Sequence, residues 1–307
     1  MTLQQLHYIV SVAETGQFSK AARQCHVTQP TLTMMVRKLE DELGVTIFQR
    51  GSQPARPTIE GEALIVQARV VLREAGQLKD LVTELRTGTA GTYRLGIIPT
   101  LAPYLLPLFL ARFADEHPQA RLVIDERQTS SILDALRKGQ LDVGILAGPI
   151  VDDDLEVLTL FHEPFLAYFP PDHPLLEQQR ISRDDLHEVQ LWVLSEGHCL
   201  REQALSVCQH PSSAGHDNIL YSTGSIETLK RLVDSGSGIT LVPELSVNAD
   251  EKNVRRFITP EPVREVVLVV RKPFVRRKAV DAFVAAIRAA VPQEFLVLDK
   301  MVVPVEL

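Results

Sequence analysis

Residues 18–44 read FSKAARQCHVTQPTLTMMVRKLEDELG, and this stretch predicts two helices joined by a short turn. Ser19 is placed to cap the first helix, because a serine hydroxyl can accept a hydrogen bond from a backbone N–H that has no partner within the helix. Thr28 can cap the second helix in the same way, and Pro30 fits its first turn, where a missing N–H costs little. Residues 25–28 leave room only for a tight turn, which is typical of a helix-turn-helix motif.

The residues on either side extend this motif into a small domain. A helix is expected over Leu3–Thr15, ended by Gly16. The second helix of the motif carries apolar residues at helical spacing, namely Leu32, Met35, Val36, Leu39 and Leu43. Residues 49–57 are polar, contain two prolines and two arginines, and are interpreted as a hairpin wing. Residues 1–58 are therefore predicted to form a winged helix-turn-helix DNA-binding domain.

A long helix is expected to follow, capped by Thr58 and running to about residue 88. Its apolar residues recur at alternating intervals of four and three, at Leu64, Ala68, Val71, Ala75, Leu78, Val82 and Leu85. A repeat of 3.5 residues predicts a coiled-coil contact with a second helix. An amphipathic helix packed on its own domain would give a similar pattern, but this helix lies between two domains. We therefore interpret residues 59–88 as a dimerising linker helix.

Strand-like and helix-like runs alternate through residues 89–307. The strand-like runs are Tyr93–Ile98, Arg121–Glu126, Val143–Ala147, Leu191–Leu194, Ile239–Val242 and Val266–Val270. The helix-like runs are Leu101–Glu116, Ile132–Lys138, Leu200–Cys208, Ile226–Asp234 and Lys278–Ala290. Such alternation predicts a parallel α/β sheet, and the length is enough for two lobes. The expected fold class is thus α/β, with an N-terminal all-α winged helix-turn-helix and a two-lobed C-terminal module. The apolar tail, residues 295–307, could add a strand or an oligomer contact.

The composition excludes several classes of protein. With 45% apolar and 23% charged residues among 307, the chain is not disordered, and 16 glycines without a three-residue period are not collagen-like. Three cysteines are too few for a disulfide scaffold. The most apolar run, residues 101–113, is too short to span a membrane, and the N-terminus shows no secretory signal pattern. We therefore expect a cytoplasmic protein with no membrane contact.

The net charge of −7 is unevenly distributed. Residues 1–90 hold 10 Lys and Arg against 9 Asp and Glu, whereas the remainder holds 22 against 30. The acidic excess therefore belongs to the C-terminal module. The N-terminal segment is electrostatically distinct, and the negative total does not exclude a nucleic-acid partner.

The second helix of the motif offers a candidate DNA-reading face, made of Gln29, Pro30, Thr31, Thr33, Met34 and Arg37. Gln can bind adenine, Thr can contact a thymine methyl or a phosphate, and Arg can bind guanine or phosphate. Arg50 and Arg56 on the wing would contact phosphate or enter the minor groove. A small helical bundle with solvated charges would carry similar residues, so the pattern by itself leaves that interpretation open.

The two cysteines of the C-terminal module stand at the ends of one predicted helix. Cys199 begins it, flanked by His198 and Arg201, and a helix N-terminus with neighbouring cations stabilises the thiolate that attacks peroxide. Nine residues of helix separate the Cα atoms of Cys199 and Cys208 by about 13 Å and turn the side chains about 180° apart. A disulfide needs Cα atoms roughly 4.4–6.8 Å apart, so forming one would unwind the helix. The spacing alone favours two unrelated buried thiols.

Several motifs resemble the LysR-type transcriptional regulators. In the N-terminal domain they are Phe18-Ser19-Lys20-Ala21-Ala22, Val27-Thr28-Gln29-Pro30-Thr31-Leu32-Thr33 and Arg37-Lys38-Leu39-Glu40-Asp41-Glu42-Leu43-Gly44. In the C-terminal module, Gly197-His198-Cys199-Leu200-Arg201, Gln203-Ala204, Cys208, Ile98-Pro99-Thr100 and Gln128-Thr129 resemble the peroxide-sensing members of that family. Cys25 stands where the family usually has Leu, and we interpret it as a small core residue. Glu202 stands where an aspartate is usual.

The resemblance implies a regulatory module similar to periplasmic binding proteins. It implies that hydrogen peroxide oxidises Cys199 to a sulfenic acid, with which Cys208 forms a disulfide, and that Thr100, Thr129, His198 and Arg201 bind the peroxide. The partners it implies are a double-stranded DNA operator, a second copy of the chain in a homodimer or homotetramer, and RNA polymerase. No cofactor and no metal site are expected.

The order of elements supports the same pocket. Thr100, Thr129 and Cys199 each follow a predicted strand, and ligands bind beyond the carboxyl ends of strands in open α/β sheets. Alone, each threonine would be taken for a helix cap. Two alternatives stay open: a regulator that binds a small metabolite between the lobes, and a thiol peroxidase. We expect a regulator that consumes oxidant stoichiometrically, and so not an enzyme.

Overall fold

The computed structural model describes residues 1–187, 189–208, 223–236, 238–274, 276–297 and 301–304. The chain divides into two compact units, Met1–Arg86 and Thr87–Leu307. The first is built from helices, and the second is an α/β unit of two lobes. No helix among the described residues is long and apolar enough to cross a membrane.

The first unit contains helices α1 (Leu3–Thr15), α2 (Phe18–Gln24), α3 (Gln29–Leu43) and most of α4 (Ile59–Thr87). The ends of helix α3 lie where the capping residues in the sequence predict them. Thr28 accepts a hydrogen bond from the Thr31 N–H at the start of α3, and Gly44 ends that helix with a left-handed φ of 68°. The helices enclose one apolar core that includes Leu32, Val36 and Leu39.

Two details of the predicted motif are wrong. The helix α2 begins at Phe18, and Gln17 is its N-cap without a side-chain hydrogen bond, so Ser19 lies inside the first turn. The Phe18 ring packs edge-on against Phe48 at 5.6 Å, which indicates that tertiary packing sets this helix start. Leu43, expected in the core, is 38% exposed at the last residue of α3.

The predicted wing is a narrow hairpin between α3 and α4. Phe48 and Pro57 form an antiparallel bridge, and the Gln49 N–H donates to the Arg56 carbonyl at 2.8 Å. The Thr58 hydroxyl caps α4 by accepting from the Gly61 N–H at 2.9 Å. A Cβ at Gly61 would lie 2.1 Å from the Ile47 carbonyl oxygen, so α4 packs this closely on the segment before the wing only with glycine there.

The heptad positions of α4 divide into two halves. Ala68 is buried in the core of the first unit, and Leu64 and Val71 pack against that core. Further along, Leu78 is 68%, Val82 47% and Leu85 71% exposed. The first half of the repeat thus packs on its own domain, as the alternative interpretation held, while the second half presents an uncovered apolar face.

Within the described residues, the second unit is built on a ten-stranded sheet. Its strands are β1 (Gly91–Ile97), β2 (Ala120–Glu126), β3 (Val143–Ala147), β4 (Leu155–Tyr168), β5 (Arg180–Ile181), β6 (Leu191–Trp192), β7 (Ile239–Pro243), β8 (Val254–Phe257), β9 (Pro262–Arg271) and β10 (Met301–Val302). Its α-helices are α5 (Ala102–Glu116), α6 (Thr129–Arg137), α7 (Cys199–Cys208), α8 (Ile226–Asp234) and α9 (Arg277–Ala290). The main path of the sheet runs β2-β1-β3-β9-β4-β7-β6.

The sheet is mixed, so the prediction of a parallel sheet is wrong. Neighbours β1–β2, β1–β3 and β6–β7 are parallel, but β9 runs antiparallel to both β3 and β4. The long strand β4 carries the chain from one lobe to the other and β9 carries it back, which requires opposite directions. β4 was not predicted at all, and β9 extends beyond both ends of the predicted run.

Two apolar cores define the lobes. The first lobe, around β1, β3, α5, α6 and α9, includes Tyr93, Phe109 and Phe283. The second lobe, around β6, β7, α7 and α8, includes Trp192 and Leu241. The C-terminal tail adds the strand β10, which pairs in parallel with β9. Residues 298–300 and 305–307 of the predicted tail lie outside the described residues.

Candidate functional site

The helix α7 carries both cysteines of the second unit, one at each end. It begins at Cys199 and ends at Cys208, and both are free thiols with buried side chains. Ten residues of helix hold their Cα atoms about 13 Å apart on opposite faces. Cys199 belongs to the core of the first lobe and Cys208 to that of the second. The helix therefore keeps the two thiols in separate environments.

Cys199 lies against a threonine from another strand end. Its Sγ is 3.1 Å from Oγ1 of Thr129, the first residue of α6, which follows β2. Thr100 follows β1, and its hydroxyl accepts a hydrogen bond from Nη1 of Arg264 at 3.3 Å. Both threonines are 3% exposed. The structure thus brings the thiol and Thr129 into direct contact and gives Thr100 a buried cation as its partner.

Arg264 and Glu163 form a fully buried ion pair that the sequence analysis missed. Arg264 Nε donates to Glu163 Oε2 at 2.8 Å, and both side chains are 0% exposed. Glu163 Oε1 also accepts from the Leu245 N–H at 2.8 Å. The available signal was the presence of charged residues within two largely apolar strands, Glu163 in β4 and Arg264 in β9. A buried guanidinium beside a thiol can stabilise negative charge that develops there.

The electrostatic environment of Cys199 differs from the one expected. Burial is the largest effect, and it raises the pKa of the Cys199 thiol above its ordinary value. The hydrogen bond with Thr129, a backbone N–H and the charge of Arg264 lower the pKa, whereas Glu202 raises it. The expectation of a thiol stabilised as thiolate in the resting state is therefore wrong, because desolvation outweighs these contributions.

The predicted cations beside the thiol also behave differently. Burial lowers the pKa of His198, so its neutral form is favoured. Arg201 donates through Nη1 to the Leu194 carbonyl at 3.0 Å and lies 3.6 Å from Glu202 through Nε. Arg201 thus ties the start of α7 to the end of the preceding segment, and Arg264 provides a buried charge that favours the Cys199 thiolate.

The loop before Cys199 is packed too closely for larger residues. Gly197 has a φ of +85°, and a Cβ there would lie about 3 Å from the Gln128 amide group. A Cβ at Gly224 would lie 3.0 Å from His198 Nε2, and the Ser195 N–H donates to the Thr223 carbonyl at 2.8 Å. The segment that carries Cys199 thus packs against Gln128, which precedes Thr129, and against residues 223–224.

The surroundings of Cys208 are apolar. Its side chain is 1% exposed in the core of the second lobe. Burial raises the pKa of the Cys208 thiol to about 12, and the charge of Arg183 opposes this only in part. A thiol with this pKa is a poor nucleophile at neutral pH. Cys208 can attack another sulfur only after it leaves this position.

A hydrogen bond also joins the two lobes. The Tyr104 hydroxyl on α5 donates to Glu227 Oε1 on α8 at 2.8 Å. Burial, followed by the bond to Glu227, raises the pKa of Tyr104, so the phenol stays protonated as the donor. The bridge holds the first turns of the two helices together across the lobes.

The predicted DNA-reading residues lie on the surface of the first unit. Gln29, Pro30, Thr31, Arg37, Arg50 and Arg56 are exposed and Thr33 is half-buried. A groove of about 1330 Å³ between α3 and the wing is lined by Gln29, Thr33, Arg37 and Arg50, among other residues. The Thr31 hydroxyl is 2.8 Å from that of Thr28 and so also takes part in the helix cap.

Cys25 lies at the edge of the apolar core of the first unit. Its half-buried side chain packs against the core, and its thiol donates to the Ser11 hydroxyl at 3.3 Å. This placement agrees with its interpretation as a small core residue.

Comparisons with family models and with known proteins all indicate the same family. Residues 3–62 match the family model of the bacterial regulatory helix-turn-helix proteins, lysR family. Residues 86–292 match the family model of the LysR substrate binding domain. The chain is 38% identical over 299 residues to the DNA-binding transcriptional dual regulator OxyR of Escherichia coli K12, covering 96% of this chain and 97% of that protein. It is 37% identical to a probable hydrogen peroxide-inducible genes activator of Streptomyces viridosporus, covering 94% of each.

Solved structures agree with these matches. A full-length OxyR cysteine variant from Pseudomonas aeruginosa aligns with a TM-score of 0.77 and 36% identity, covering 95% of this chain and 99% of that one. A hydrogen-peroxide-bound OxyR mutant from Corynebacterium glutamicum aligns with a TM-score of 0.64 and 29% identity, covering 94% and 92%. The expected fold class is confirmed. The chain belongs to the LysR family of bacterial transcriptional regulators, within the group that contains OxyR.

Proposed function

We propose that this chain is a cytoplasmic, DNA-binding regulator that senses hydrogen peroxide through Cys199 and stores the signal as a disulfide with Cys208. The observation that carries this proposal is the placement of the two thiols at opposite ends of α7, one beside Thr129 and the other in an apolar core. Relatives named as hydrogen peroxide-inducible activators, which this chain matches over most of its length, support the choice of oxidant.

The proposed reaction has two steps. The Cys199 thiolate attacks one oxygen of hydrogen peroxide, the O–O bond breaks, and the products are a sulfenic acid and hydroxide, which takes up a proton to become water. The Cys208 thiolate then attacks the sulfenic sulfur, the S–O bond breaks, the disulfide forms, and the released hydroxide takes up a proton to become the second water. Two thiols are oxidised and one peroxide is reduced to two waters.

The surrounding residues have distinct proposed roles. Thr129 donates a hydrogen bond that favours the thiolate, and Thr100 with Arg264 stabilises the departing hydroxide. His198 and Arg201 border the peroxide, His198 as a neutral hydrogen-bonding group. Because Cys208 starts about 13 Å away, the disulfide requires α7 to unwind. We propose that this local refolding changes DNA binding.

Mass spectrometry after brief treatment with low peroxide tests the proposal. We expect oxidation at Cys199 first, then a disulfide with Cys208, with one peroxide consumed per chain. Sustained turnover with a reductant would instead identify a thiol peroxidase. If Cys199 stays a free thiol while peroxide still changes DNA binding, the proposal is wrong. Activation by a small metabolite with both cysteines replaced by serine would favour a ligand between the lobes.

We further propose a division into a DNA-binding domain (residues 1–58), a linker helix (59–88) and a redox-sensing module (89–307). The exposed heptad face of α4 would contact a second copy, giving a homodimer and, through further contacts, a homotetramer that recruits RNA polymerase. Leu78→Asp should convert the dimer to monomer in sedimentation, whereas Val66→Asp, also exposed on α4 but outside the repeat, should not. Equal behaviour of the two variants would exclude this interface.

The proposed DNA contacts are Gln29, Pro30, Thr31, Thr33 and Arg37 on α3, with Arg50 and Arg56 on the wing. Arg37→Ala should weaken operator binding by about tenfold or more, because a good bidentate contact with guanine contributes about 1–3 kcal/mol. Arg112→Ala, on the regulatory unit, is the matched control. Unchanged operator affinity of Arg37→Ala would remove that residue from the interface.

A further inference from the structure

Arg183 binds the end of α7 that carries Cys208. Its Nε donates to the Val207 carbonyl at 2.9 Å and its Nη2 to the Ser206 carbonyl at 2.8 Å. The last four carbonyls of a helix have no partner within it, and a cation there also interacts favourably with the helix dipole. Arg183 thus hydrogen-bonds two backbone carbonyls in the last described turn of α7.

The same guanidinium reaches the C-terminal strand. Its Nη1 lies 3.7 Å from Met301 Sδ in β10. One turn earlier on α7, Gln203 Nε2 donates to the Val303 carbonyl at 3.1 Å, with both side chains buried. The strand in turn pairs with β9, where the Val303 N–H donates to the Val263 carbonyl at 2.9 Å. The half of α7 before Cys208 is therefore bound to the sheet through Arg183 and the tail.

We infer that Arg183 is a positioning residue that stabilises the reduced state of the switch and so sets how much oxidant is needed to form the disulfide. The inference rests on the proposed function, since it concerns the pairing of Cys199 with Cys208. Ser206 and Val207 adjoin Cys208, so a displacement of this backbone that carries Cys208 toward Cys199 breaks both hydrogen bonds. An interaction that exists only while α7 is intact shifts the equilibrium between intact and unwound α7 toward the intact helix.

The charge of Arg183 has a second effect that must be separated from its hydrogen bonds. Its positive charge favours the Cys208 thiolate, which would assist the reaction once Cys208 is free. Arg183→Met removes both the charge and the hydrogen bonds while keeping an apolar stem. Arg183→Lys keeps the charge but cannot donate from two nitrogens of a planar group to the two carbonyls.

The test is a redox titration of the full-length protein in thiol–disulfide buffers, with the disulfide quantified by alkylation and mass spectrometry. We expect Arg183→Met to favour the disulfide by about tenfold in its equilibrium constant, a shift of about 30 mV in the midpoint potential. Arg183→Lys should show a smaller shift in the same direction. Arg231→Met, at an 85% exposed side chain on α8, is the matched control and should match the unmodified protein. No shift in Arg183→Met, or a shift against the disulfide, would overturn the inference.

A second measurement keeps the inference testable if the disulfide never forms. In a Cys199→Ser background, hydrogen exchange of α7 amides reports helix opening without any redox chemistry. Arg183→Met should increase exchange in α7 by about tenfold while leaving β7 unchanged. Equal protection of α7 with and without Arg183 would refute the role of Arg183. Absence of the disulfide in the unmodified protein, with this exchange difference intact, would instead contradict the proposed function.

Discussion

The two ends of α7 hold the same functional group in unlike surroundings. At the N-terminal end, the Cys199 thiol contacts the Thr129 hydroxyl and lies within the influence of the buried Arg264 charge, which together lower its pKa against the effect of burial. At the C-terminal end, Cys208 lies in an apolar core, where burial raises its pKa to about 12. Under the proposed function, this difference gives the thiols an order: Cys199 would react where it is, and Cys208 only after α7 opens.

The largest expected effect comes from removing either thiol. Cys199→Ser should abolish peroxide-dependent oxidation at this site, because no nucleophile remains beside Thr129. Cys208→Ser should still yield a sulfenic acid at Cys199 but no intramolecular disulfide. Mass spectrometry with a sulfenic-acid trap checks both variants. An intramolecular disulfide in Cys208→Ser would refute the pairing and leave Cys25 as the partner.

The buried ion pair near Cys199 should have a large effect on stability. Arg264→Met leaves the Glu163 carboxylate buried without its partner, which costs about 3–5 kcal/mol of unfolding free energy. Arg277→Met removes the exposed pair with Glu156 and should cost less than about 1 kcal/mol. Denaturant unfolding of both variants measures the difference. Similar losses of unfolding free energy in the two variants would contradict the expected cost of leaving Glu163 buried without Arg264.

The hydrogen bond from Thr129 should have a moderate effect on rate. Thr129→Val keeps the shape of the side chain but removes a contribution that lowers the pKa of Cys199. A higher pKa leaves a smaller fraction of thiolate at neutral pH, so oxidation should be measurably slower than in the unmodified protein. Thr159→Val, which removes a threonine hydrogen bond to Glu265 elsewhere in the unit, is the control. Stopped-flow oxidation rates that do not separate the two variants would exclude this role.

The smallest expected effect is the pH dependence of the reduced protein. Both thiol pKa values are raised, so both thiols are protonated at neutral pH, and their reactivity rises with pH. The stability gained by burying the protonated thiols is present below their ordinary pKa, near 8.5 to 9, and is lost as the pH increases above it. Between pH 7 and 9, alkylation should be faster at Cys199 than at Cys208. Faster alkylation of Cys208 than of Cys199 would contradict the proposed order of reactivity of the two thiols.

The sequence predicts the start of α7 well, because its signals are local. The expected helix, Leu200–Cys208, differs by one residue from the observed Cys199–Cys208. Thr28, Pro30 and Gly44 likewise mark the ends of α3 through contacts within a few residues. The contact of Thr129 with Cys199 agrees with the expectation that these residues, which both follow strands, would meet, although β2 and β6 lie at opposite ends of the sheet path.

The sequence does not reveal features that depend on distant contacts. Glu163 and Arg264 are 101 residues apart, and neither belongs to a recognisable motif. The strand β4 passes from half-buried to fully buried positions, so its sequence lacks the alternation that marks a strand. The desolvation that outweighs the helix N-terminus at Cys199 comes from the packing of two lobes, and the contact of Arg183 with α7 comes from a separate loop.

Hydrogen exchange across α7 in the reduced and the peroxide-oxidised protein tests the central claim most directly. The claim is that one helix keeps the two thiols apart and must open for them to join. We predict that amides within residues 199–208 are protected in the reduced protein and lose protection as the disulfide between Cys199 and Cys208 forms, while β7 stays protected. A complete disulfide between these cysteines with the protection of α7 unchanged would contradict the account.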